Sequence, residues 1–323
     1  IMKILITGGS GLVGSAIKEI VHFENEEYEQ KSLKNENEYV FISSKDCDLT
    51  NIDITRDYFS KCKADAVIHL AAYVGGLFRN MSEKIKMYEI NTQINYNILK
   101  ICDELNINRV LSCLSTCIFP DKTIYPIDET MLHDGPPHFS NDGYAYSKRM
   151  LEVHSRMYYE NKNRLYNCII PTNIYGKYDN FSLEDAHVIP ALIHKCSISK
   201  NENKDFIVKG SGKPLRQFIY SLDLAKLILK VLFNYEDKEP IILSVSEKDE
   251  VSIASVARTI AKCFNYEDRV KFDCESADGQ FKKTANNQKL MNLYPDTKFT
   301  DIETGIANTV EWFNLTPDYL IRK

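Results

Sequence analysis

Short apolar runs alternate with longer amphipathic segments through the first half of the chain. The first run, Lys3–Thr7, is rich in isoleucine and is followed by glycine, which predicts a buried parallel strand. Apolar residues that recur every three or four positions predict helices between the runs. This β–α alternation is typical of a doubly wound parallel sheet, so we expect an α/β fold. Further strands are expected at Tyr39–Ile42, Ala66–Leu70, Arg109–Leu114 and Cys168–Ile170, and helices at Gly11–Val21, around Ile90–Ile101 and at Tyr144–Tyr159.

The pattern becomes less regular after Pro171, where the elements are shorter. We expect residues 2–172 to form the parallel-sheet domain and residues 173–323 to form a smaller α/β domain, with segments near 217–244 returning to the first. The polar segment Phe23–Glu38 predicts a solvated loop. In the second half, helices are expected at His187–Lys200, Leu222–Phe233 and Ser252–Phe264, and strands at Phe206–Val208, Gln217–Tyr220 and Ile241–Ser244.

A glycine-rich turn joins the first predicted strand to the first predicted helix. Gly8 permits a tight turn, Gly11 allows the backbone to approach a pyrophosphate, and Gly14 allows close helix–strand packing. The helix N-terminus adds N–H groups and a positive dipole for phosphates. An ordinary turn with incidental glycines is the alternative, and the flanking strand and helix argue against it. The turn predicts a Rossmann dinucleotide site formed by Gly8, Gly9, Ser10, Gly11, Leu12, Val13 and Gly14.

The residues after the second strand indicate which dinucleotide binds. An NAD site usually carries an acidic residue there, which accepts hydrogen bonds from the ribose hydroxyls. This chain instead has Ser43, Ser44 and Lys45, whose hydroxyls and ammonium suit a 2′-phosphate, so NADP(H) is expected. Asp48 could flank the adenine edge or could serve as a turn or cap residue. A polar loop that contacts no cofactor remains the alternative for the whole segment.

Tyr144 and Lys148 lie four residues apart on a predicted helix, so both side chains project from one face. A phenol titrates near pH 10 and is a poor acid–base group at neutral pH. A neighbouring ammonium favours the ionised phenol, so we expect Lys148 to lower the pKa of Tyr144. Ser115, at the end of a predicted strand, could hold a carbonyl oxygen for the tyrosine. The three residues predict a carbonyl reductase, although a strand-end serine and a surface lysine are common by themselves.

Composition excludes several classes of partner. A net charge of −5 gives no reason to expect nucleic acid or an anionic membrane surface. No apolar run approaches the roughly 18 residues that a membrane span needs. The nine cysteines form no CxxC pair and have no metal-ligand spacing with the seven histidines, so we expect no metal. Free thiols fit a reducing compartment, which predicts a cytoplasmic protein.

Beyond these motifs, the chain resembles the extended short-chain dehydrogenase/reductases over nearly its whole length, and within them enzymes that act on a GDP-linked sugar. Several of the matching segments are too long for chance to explain. They are Ile6–Gly14, His69–Ala72, Val74–Asn80, Ser112–Lys122, Pro171–Asn173, Asp179–Phe181, His187–Val188, Arg216–Ser221 and Ser276–Thr284.

The resemblance implies a two-part reaction on GDP-4-keto-6-deoxy-mannose. Protons at C3 and C5 of that sugar are acidic because each carbon lies next to the C4 ketone. Inversion of each centre requires an acid–base group on either side of the ring, and the resemblance assigns these roles to Cys117 and His187. Hydride from NADPH then reaches C4, and Tyr144 protonates the oxygen. Without the resemblance, Cys117 would be interpreted as a small buried apolar residue and His187 as a core or capping residue.

The same resemblance implies further contacts and a homodimer. It places Leu70, Ala71, Ala72, Lys148, Pro171, Asn173 and His187 at the cofactor. It places Arg79, Asn80, Asn173, Lys195, Lys209, Arg216 and Asp278 at the sugar nucleotide. Lys209 departs from the family, which often has an indole at that position. An epimerase or dehydratase that regenerates its cofactor, and a non-catalytic NADP-binding sensor, are the alternatives; the pairs Cys117–His187 and Tyr144–Lys148 argue against them.

Overall fold

A computed structural model of the chain describes residues 1–27, 37–275 and 281–323. The strands and helices of these ranges follow in chain order. They are β1 (Lys3–Thr7), α1 (Leu12–Glu27), β2 (Glu38–Ile42), α2 (Ile52–Cys62), β3 (Ala66–His69), α3 (Leu77–Ser82), α4 (Lys84–Glu104), β4 (Arg109–Cys113), α5 (Asp142–Lys162), β5 (Leu165–Pro171), β6 (Asn173–Tyr175), α6 (Val188–Asn201), β7 (Phe206–Lys209), β8 (Leu215–Arg216), β9 (Phe218–Tyr220), α7 (Ser221–Asn234), β10 (Ile241–Leu243), β11 (Val251–Ser252), α8 (Ile253–Cys263), β12 (Val270–Asp273), α9 (Gln288–Leu293) and α10 (Ile302–Leu315).

The chain divides into two compact units. The first unit comprises residues 1–122, 129–171 and 224–243, and the second comprises residues 123–128, 172–223 and 244–323. The return to the first unit begins at Leu224 and not near residue 217. The reason is that β9 pairs with β6, so both strands belong to the second unit.

The first unit is built on a six-stranded parallel sheet in the order β10-β5-β4-β3-β1-β2. The predicted doubly wound parallel sheet is therefore confirmed. From β1 the chain moves outward to β2 and then crosses back to β3 on the other side of β1. The crevice at the carboxyl ends of β1 and β3 is thus the topological switch point, where open α/β sheets bind their ligands. Thr7 and His69 end these two strands and are paired in register.

Apolar strands and their covering helices form the core of this unit. The three central residues of β1 and all four residues of β3 are fully buried, as expected for parallel strands covered by helices on both faces. Helices α4 and α5 pack against each other. Strand ends lie within a few residues of their predicted positions, because the apolar runs that form them are short and bounded by polar residues.

Several helices of the first unit differ from the sequence prediction, and the short helix α3 is one that was not expected. Helix α1 continues to Glu27, so residues 23–27 are helical and not part of a solvated loop; residues 28–36 lie outside the described ranges. Helix α2 was not predicted, because only Thr55 and Phe59 are buried along its eleven residues. Its start is fixed by Asn51, whose side chain accepts hydrogen bonds from two backbone N–H groups of the first turn.

The second unit contains three two-stranded sheets around an apolar core. The pairs are β6 with β9, β7 with β12, and β8 with β11. Aromatic residues from several elements fill the core, among them Tyr175, Phe181, Phe206 and Phe313. Gly305 on α10 allows close packing, because a Cβ atom there would lie 2.0 Å from the Tyr175 hydroxyl. The smaller α/β part expected in the second half is present, although β12 and α10 were not predicted.

Among residues 1–27, 37–275 and 281–323, no helix is long and apolar enough to span a membrane. The same residues contain no group of three or more histidine, cysteine, aspartate or glutamate side chains that could hold a metal ion.

Candidate active site

The glycine turn lies at the switch point of the sheet and is held by backbone hydrogen bonds. Gly8 has φ +69°, a conformation that favours glycine, and a Cβ atom there would lie 2.9 Å from the Ala71 nitrogen. The Gly9 N–H donates to the Ile42 carbonyl at 2.8 Å, which fixes the turn to the end of β2. The Gly11 N–H donates to the Gly8 carbonyl at 3.0 Å and closes the turn before α1 begins.

Gly11 and Gly14 are required for different reasons. A Cβ atom at Gly14 would lie 2.6 Å from both the Gly8 oxygen and the Gly9 Cα, so packing excludes any side chain there. A Cβ atom at Gly11 would meet only the Gly8 oxygen, at 3.3 Å, so little of the protein occupies that space. The open space beside Gly11 lies at the N-terminus of α1, where backbone N–H groups and the helix dipole favour a phosphate group, and it is called the cradle below.

This difference predicts that alanine at Gly14 affects the stability of the protein, whereas alanine at Gly11 affects the binding of NADPH. Gly14→Ala should lower the free energy of unfolding by about 2 kcal/mol through overpacking. Gly11→Ala should change it by less than about 0.5 kcal/mol and should weaken NADPH binding at least about tenfold, because the methyl group enters the cradle. Denaturant unfolding and fluorescence titration with NADPH measure the two quantities. Equal NADPH affinity of Gly11→Ala and the unmodified protein would contradict the assignment of the cradle.

A buried polar network positions the segment that follows β3. The backbone N–H groups of Leu70 and Ala71 both donate to the Thr7 hydroxyl oxygen at 3.1 Å. The Thr7 hydroxyl must therefore donate onward to His69 Nδ1, 2.9 Å away, and His69 Nε2 donates to the Asn95 amide oxygen at 2.9 Å. Burial, together with the charge of Lys148, lowers the pKa of His69 to about 3, so the ring is neutral. Residues 70 and 71, predicted to line the cofactor, are thus held in place by side chains behind them.

The loop after β2 contains the residues predicted to select NADP(H). Ser44 and Lys45 are both exposed, as a contact with a 2′-phosphate requires. The Ser43 hydroxyl and its backbone N–H both donate to the carboxylate of Asp46, at 2.8 Å each. These hydrogen bonds hold the pKa of Asp46 below its usual range. Asp46 therefore shapes this loop, and the sequence prediction did not include it.

Asp48 occupies a turn, the alternative that the sequence had left open for it. Its carboxylate accepts hydrogen bonds from the backbone N–H of Thr50 at 3.0 Å and from the Thr50 hydroxyl at 2.6 Å. This Asx turn leads directly into the N-cap of α2. A contact of Asp48 with the adenine remains a prediction.

Ser115, Cys117, Tyr144 and Lys148 are all contributed by the first unit. Ser115 caps the short helical turn Thr116–Ile118, and its hydroxyl accepts from the Cys117 N–H at 3.4 Å. Lys148 is only 2% exposed; its ammonium donates to the Cys113 carbonyl at 2.8 Å and lies 5.7 Å from the centroid of the Tyr144 ring. Cys117, when ionised, raises the pKa of both Tyr144 and Lys148, so its thiol lies close to both groups. One end of α5 thus presents a phenol and an ammonium to the turn that carries the hydroxyl and the thiol.

The prediction that Lys148 gives Tyr144 a lowered pKa is wrong. Burial raises the pKa of Tyr144 well above its usual range, and the nearby Cys117 and Cys113, when ionised, act in the same direction. The Lys148 ammonium lies 5.7 Å from the centroid of the phenol ring, and its charge does not outweigh the effect of burial on the pKa of Tyr144. Burial also lowers the pKa of Lys148. Tyr144 is therefore a protonated acid at neutral pH, which is the form that a proton donor needs.

A cavity of about 310 Å³ in the second unit contains four of the predicted site residues. Asn173, His187, Lys209 and Arg216 line it together with apolar side chains from α6, β9 and α8. His187 is the N-cap residue of α6, and its side chain makes no capping hydrogen bond. The amide nitrogen of Asn173 donates to the Gln217 carbonyl at 2.8 Å. The cavity combines two cations with a histidine and an amide, a set suited to a phosphorylated ligand.

The remaining predicted residues have different surroundings. Lys195 is half-buried; burial lowers its pKa, and the charge of Lys209 lowers it further, so the two ammonium groups are neighbours. The Asn80 amide donates to the carbonyls of Gly75 at 2.7 Å and Gly76 at 3.0 Å, which stabilises the chain just before α3. Arg79 lies on the same short helix. Pro171 ends β5 and is buried, and Ala72 is half-buried. Asp278 lies outside the described residues.

The sequence prediction missed the side chains that support the site. Asn91 and Asn95 lie one turn apart on α4 and are buried, and the Asn91 amide bonds to both the N–H and the carbonyl of Tyr73. Arg149, next to Lys148, is also buried and donates to the Ile118 carbonyl at 2.5 Å. Asparagines at helical spacing in an otherwise apolar stripe were the available signal, since buried amides need partners.

The fold and this arrangement define a class of protein. A glycine turn at the switch point of a parallel sheet suits a dinucleotide, and a buried phenol–ammonium pair with a neighbouring serine suits proton delivery to a carbonyl oxygen. Dinucleotide-dependent reductases combine these two features.

Comparison with known proteins agrees with this class and narrows it. A family model described as "NAD dependent epimerase/dehydratase family" matches residues 4–246 of the chain. GDP-L-fucose synthase of Dictyostelium discoideum is 52% identical over 310 residues, which are 96% of this chain and 94% of that protein. A probable GDP-L-fucose synthase of Drosophila melanogaster is 48% identical, over 96% of this chain and 97% of that protein. The crystal structure of a GDP-L-fucose synthetase from Naegleria fowleri bound to NADP is 46% identical, with a TM-score of 0.92 over 100% of this chain and 95% of that one. The chain belongs to the NAD-dependent epimerase/dehydratase family, and within it to the GDP-L-fucose synthases.

Proposed function

We propose that this protein converts GDP-4-keto-6-deoxy-D-mannose to GDP-L-fucose by 3,5-epimerisation followed by NADPH-dependent reduction at C4. The observation that carries the proposal is that Cys117 follows Ser115 by two residues in the same turn, against the Tyr144–Lys148 pair. A reductase alone needs only the serine, tyrosine and lysine. The additional thiol supplies the acid–base group that epimerisation beside a ketone requires.

The proposed division of labour follows from the chemistry of each side chain. Cys117 and His187 exchange protons at C3 and C5, whose acidity comes from the adjacent C4 ketone. Ser115 holds the C4 oxygen by a hydrogen bond. NADPH supplies hydride to C4 when it is bound, and the protonated phenol of Tyr144 delivers the proton to the C4 oxygen. Lys148 stabilises the negative charge that remains on Tyr144.

NADP(H) is the cofactor, and the residues of the first unit fit it. The open cradle at Gly11 and the N-terminus of α1 suit the pyrophosphate, and the exposed Ser44 and Lys45 suit the 2′-phosphate. In the second unit, Lys195, Lys209 and Arg216 are proposed to neutralise the diphosphate of the GDP-sugar. Lys209 stands where the family often has an indole, so this contact is proposed to be ionic and not a stacking contact.

A homodimer and a cytoplasmic location are part of the same proposal. Aromatic and methionine side chains are exposed on two neighbouring helices, Tyr88 and Tyr96 on α4 and Met150 and Met157 on α5. Such a patch on a packed helix pair is typical of an interface with a second copy. All nine cysteines are free thiols, which fits a reducing compartment.

Absorbance at 340 nm tests the proposal with the purified protein. We expect one NADPH to be oxidised for each GDP-4-keto-6-deoxy-D-mannose added, with solvent deuterium incorporated at both C3 and C5 of the product. Oxidation without deuterium at these carbons would indicate a simple 4-reductase. Deuterium incorporation without net oxidation would indicate a 3,5-epimerase that lacks the reduction step. Reduction of another keto sugar nucleotide but not of this one would refute the substrate assignment.

A further inference from the structure

Arg149 is a buried cation directly behind the turn that carries Cys117. It follows Lys148 on α5 and is only 5% exposed. Its Nε atom donates to the carbonyl of Ile118 at 2.5 Å, and Ile118 follows Cys117 in the helical turn Thr116–Ile118. The guanidinium group therefore fixes the backbone of this turn from the inside.

The surroundings of Arg149 leave its charge incompletely compensated. No carboxylate lies within ion-pair distance of it in the part of the chain that the structure describes, and its buried Nη2 atom has no hydrogen-bond partner among the same residues. The ring of Tyr146 lies 5.6 Å from the guanidinium carbon and offers a weak cation–π contact. A buried guanidinium is costly unless a negative group forms beside it.

Two groups beside Arg149 can become negative, the phenol of Tyr146 and the thiol of Cys117, and an ordinary thiol ionises at a lower pH than an ordinary phenol. Burial lowers the pKa of Arg149, while the charges of Tyr146 and Cys117 raise it, so Cys117 lies within the field of the guanidinium. The same interaction must favour the thiolate of Cys117 as much as it favours the cation of Arg149, because coupling between two sites is reciprocal. Lys148 and Tyr144 also interact with Cys117. Lys148 is already hydrogen-bonded to the Cys113 carbonyl, and Tyr144 carries no charge at neutral pH.

We propose that Arg149 is a positioning residue for epimerisation, which holds the Cys117 turn and supplies the buried positive charge that stabilises the Cys117 thiolate. The inference rests on the proposed function, in which Cys117 is an acid–base group at C3 or C5. An ordinary thiol is only a few per cent ionised at pH 7, too little for an efficient base. A cation behind the turn increases the ionised fraction without occupying the space in front of the thiol, where the sugar would bind.

The pH dependence of Cys117 alkylation by iodoacetamide tests this role, with each cysteine followed separately by peptide mass spectrometry. In Arg149→Gln the amide can still donate to the Ile118 carbonyl, but the charge is lost. We expect the midpoint of the Cys117 profile to rise by about one pH unit or more in this variant. Arg149→Lys keeps the charge and should shift the midpoint by less than half as much. The exposed Cys274 is the internal reference, and its profile should be the same in all variants.

A second readout separates an electrostatic role from a structural one. Arg149→Gln should slow solvent-deuterium exchange at one of the two sugar carbons at least about tenfold at pH 7, and raising the pH should restore much of the rate. NADPH affinity should stay within twofold of the unmodified protein. Arg156→Met is the matched control on the same helix, because Arg156 pairs with Glu152 and does not contact the Cys117 turn. Arg156→Met should change neither the pH profile of Cys117 alkylation nor the rate of deuterium exchange.

An unchanged Cys117 midpoint in Arg149→Gln would overturn the inference. Arg149→Met provides a second variant without the charge, and it decides the question in the same way if the glutamine variant does not bind NADPH. Failure of the proposed function gives a different result: the unmodified protein would show no deuterium exchange with the GDP-sugar, while the Cys117 midpoint would still shift in Arg149→Gln. The experiment therefore distinguishes failure of the Arg149 inference from failure of the proposed function.

Discussion

Replacement of Tyr144 by phenylalanine should lower the rate of NADPH oxidation with GDP-4-keto-6-deoxy-D-mannose by about 10²- to 10⁴-fold. The phenol is the protonated acid of the site, because burial raises its pKa well above the usual range. Without it, no donor delivers a proton to the C4 oxygen. Cys117 remains in place, so deuterium incorporation at C3 and C5 should continue. The variant should accumulate epimerised ketone while NADPH absorbance stays nearly constant.

The matched control is Tyr159→Phe, on the same helix. The Tyr159 hydroxyl donates to the Glu236 carbonyl at 3.0 Å and belongs to the helix surface, so this variant should reduce the substrate at close to the normal rate. NADPH affinity, measured by fluorescence titration, should be unchanged in both variants. If Tyr144→Phe oxidised NADPH as fast as Tyr159→Phe, another group would have to be the proton donor.

The fold was largely predictable because its signals are local. Parallel strands covered on both faces are continuous apolar runs, so β1 and β3 could be placed from the sequence. The glycine turn marks the first strand-to-helix junction without reference to any distant residue. Helix α2 could not be predicted, because two buried side chains give too weak a periodic signal. The length of α1 was underestimated, because its last turns have the polar composition of a loop.

The site was less predictable, because its support depends on contacts between distant segments. Tyr144 and Lys148 form a motif within one turn of helix and could be recognised by spacing. The network from Thr7 through His69 to Asn95 requires the register of β1 with β3 and the packing of α4, which spacing does not reveal. The roles of Cys117 and His187 came from the family resemblance and remain proposals.

The direction of the Tyr144 pKa shows a second limit of sequence reasoning. A lysine one helical turn away suggests a lowered phenol pKa, but burial acts in the opposite direction, and spacing along a helix does not show how deeply the phenol is buried. In the fold the Lys148 ammonium donates to the Cys113 carbonyl at the end of β4. Burial of the phenol dominates the pKa of Tyr144.

Replacement of Cys117 by serine should abolish most deuterium exchange at one of the two sugar carbons, by about 10²- to 10⁴-fold, while NADPH binding stays normal. A serine hydroxyl is close in size to a thiol but is far too weak an acid to act as the base near neutral pH. Net NADPH oxidation with the same substrate should fall as well, if reduction follows epimerisation. Mass spectrometry and NMR of the recovered sugar nucleotide locate the deuterium.

Cys113→Ser is the matched control for this variant, because the Cys113 thiol lies near Lys148 and Tyr144 but contacts the Leu114 carbonyl. It should retain exchange at both carbons. Residual exchange at the second carbon in Cys117→Ser would point to His187 as the other acid–base group. That carbon should lose its deuterium in His187→Asn. If both carbons exchange at the normal rate in Cys117→Ser, the thiol has no part in the epimerisation, and the chain would be a reductase whose substrate is already epimerised.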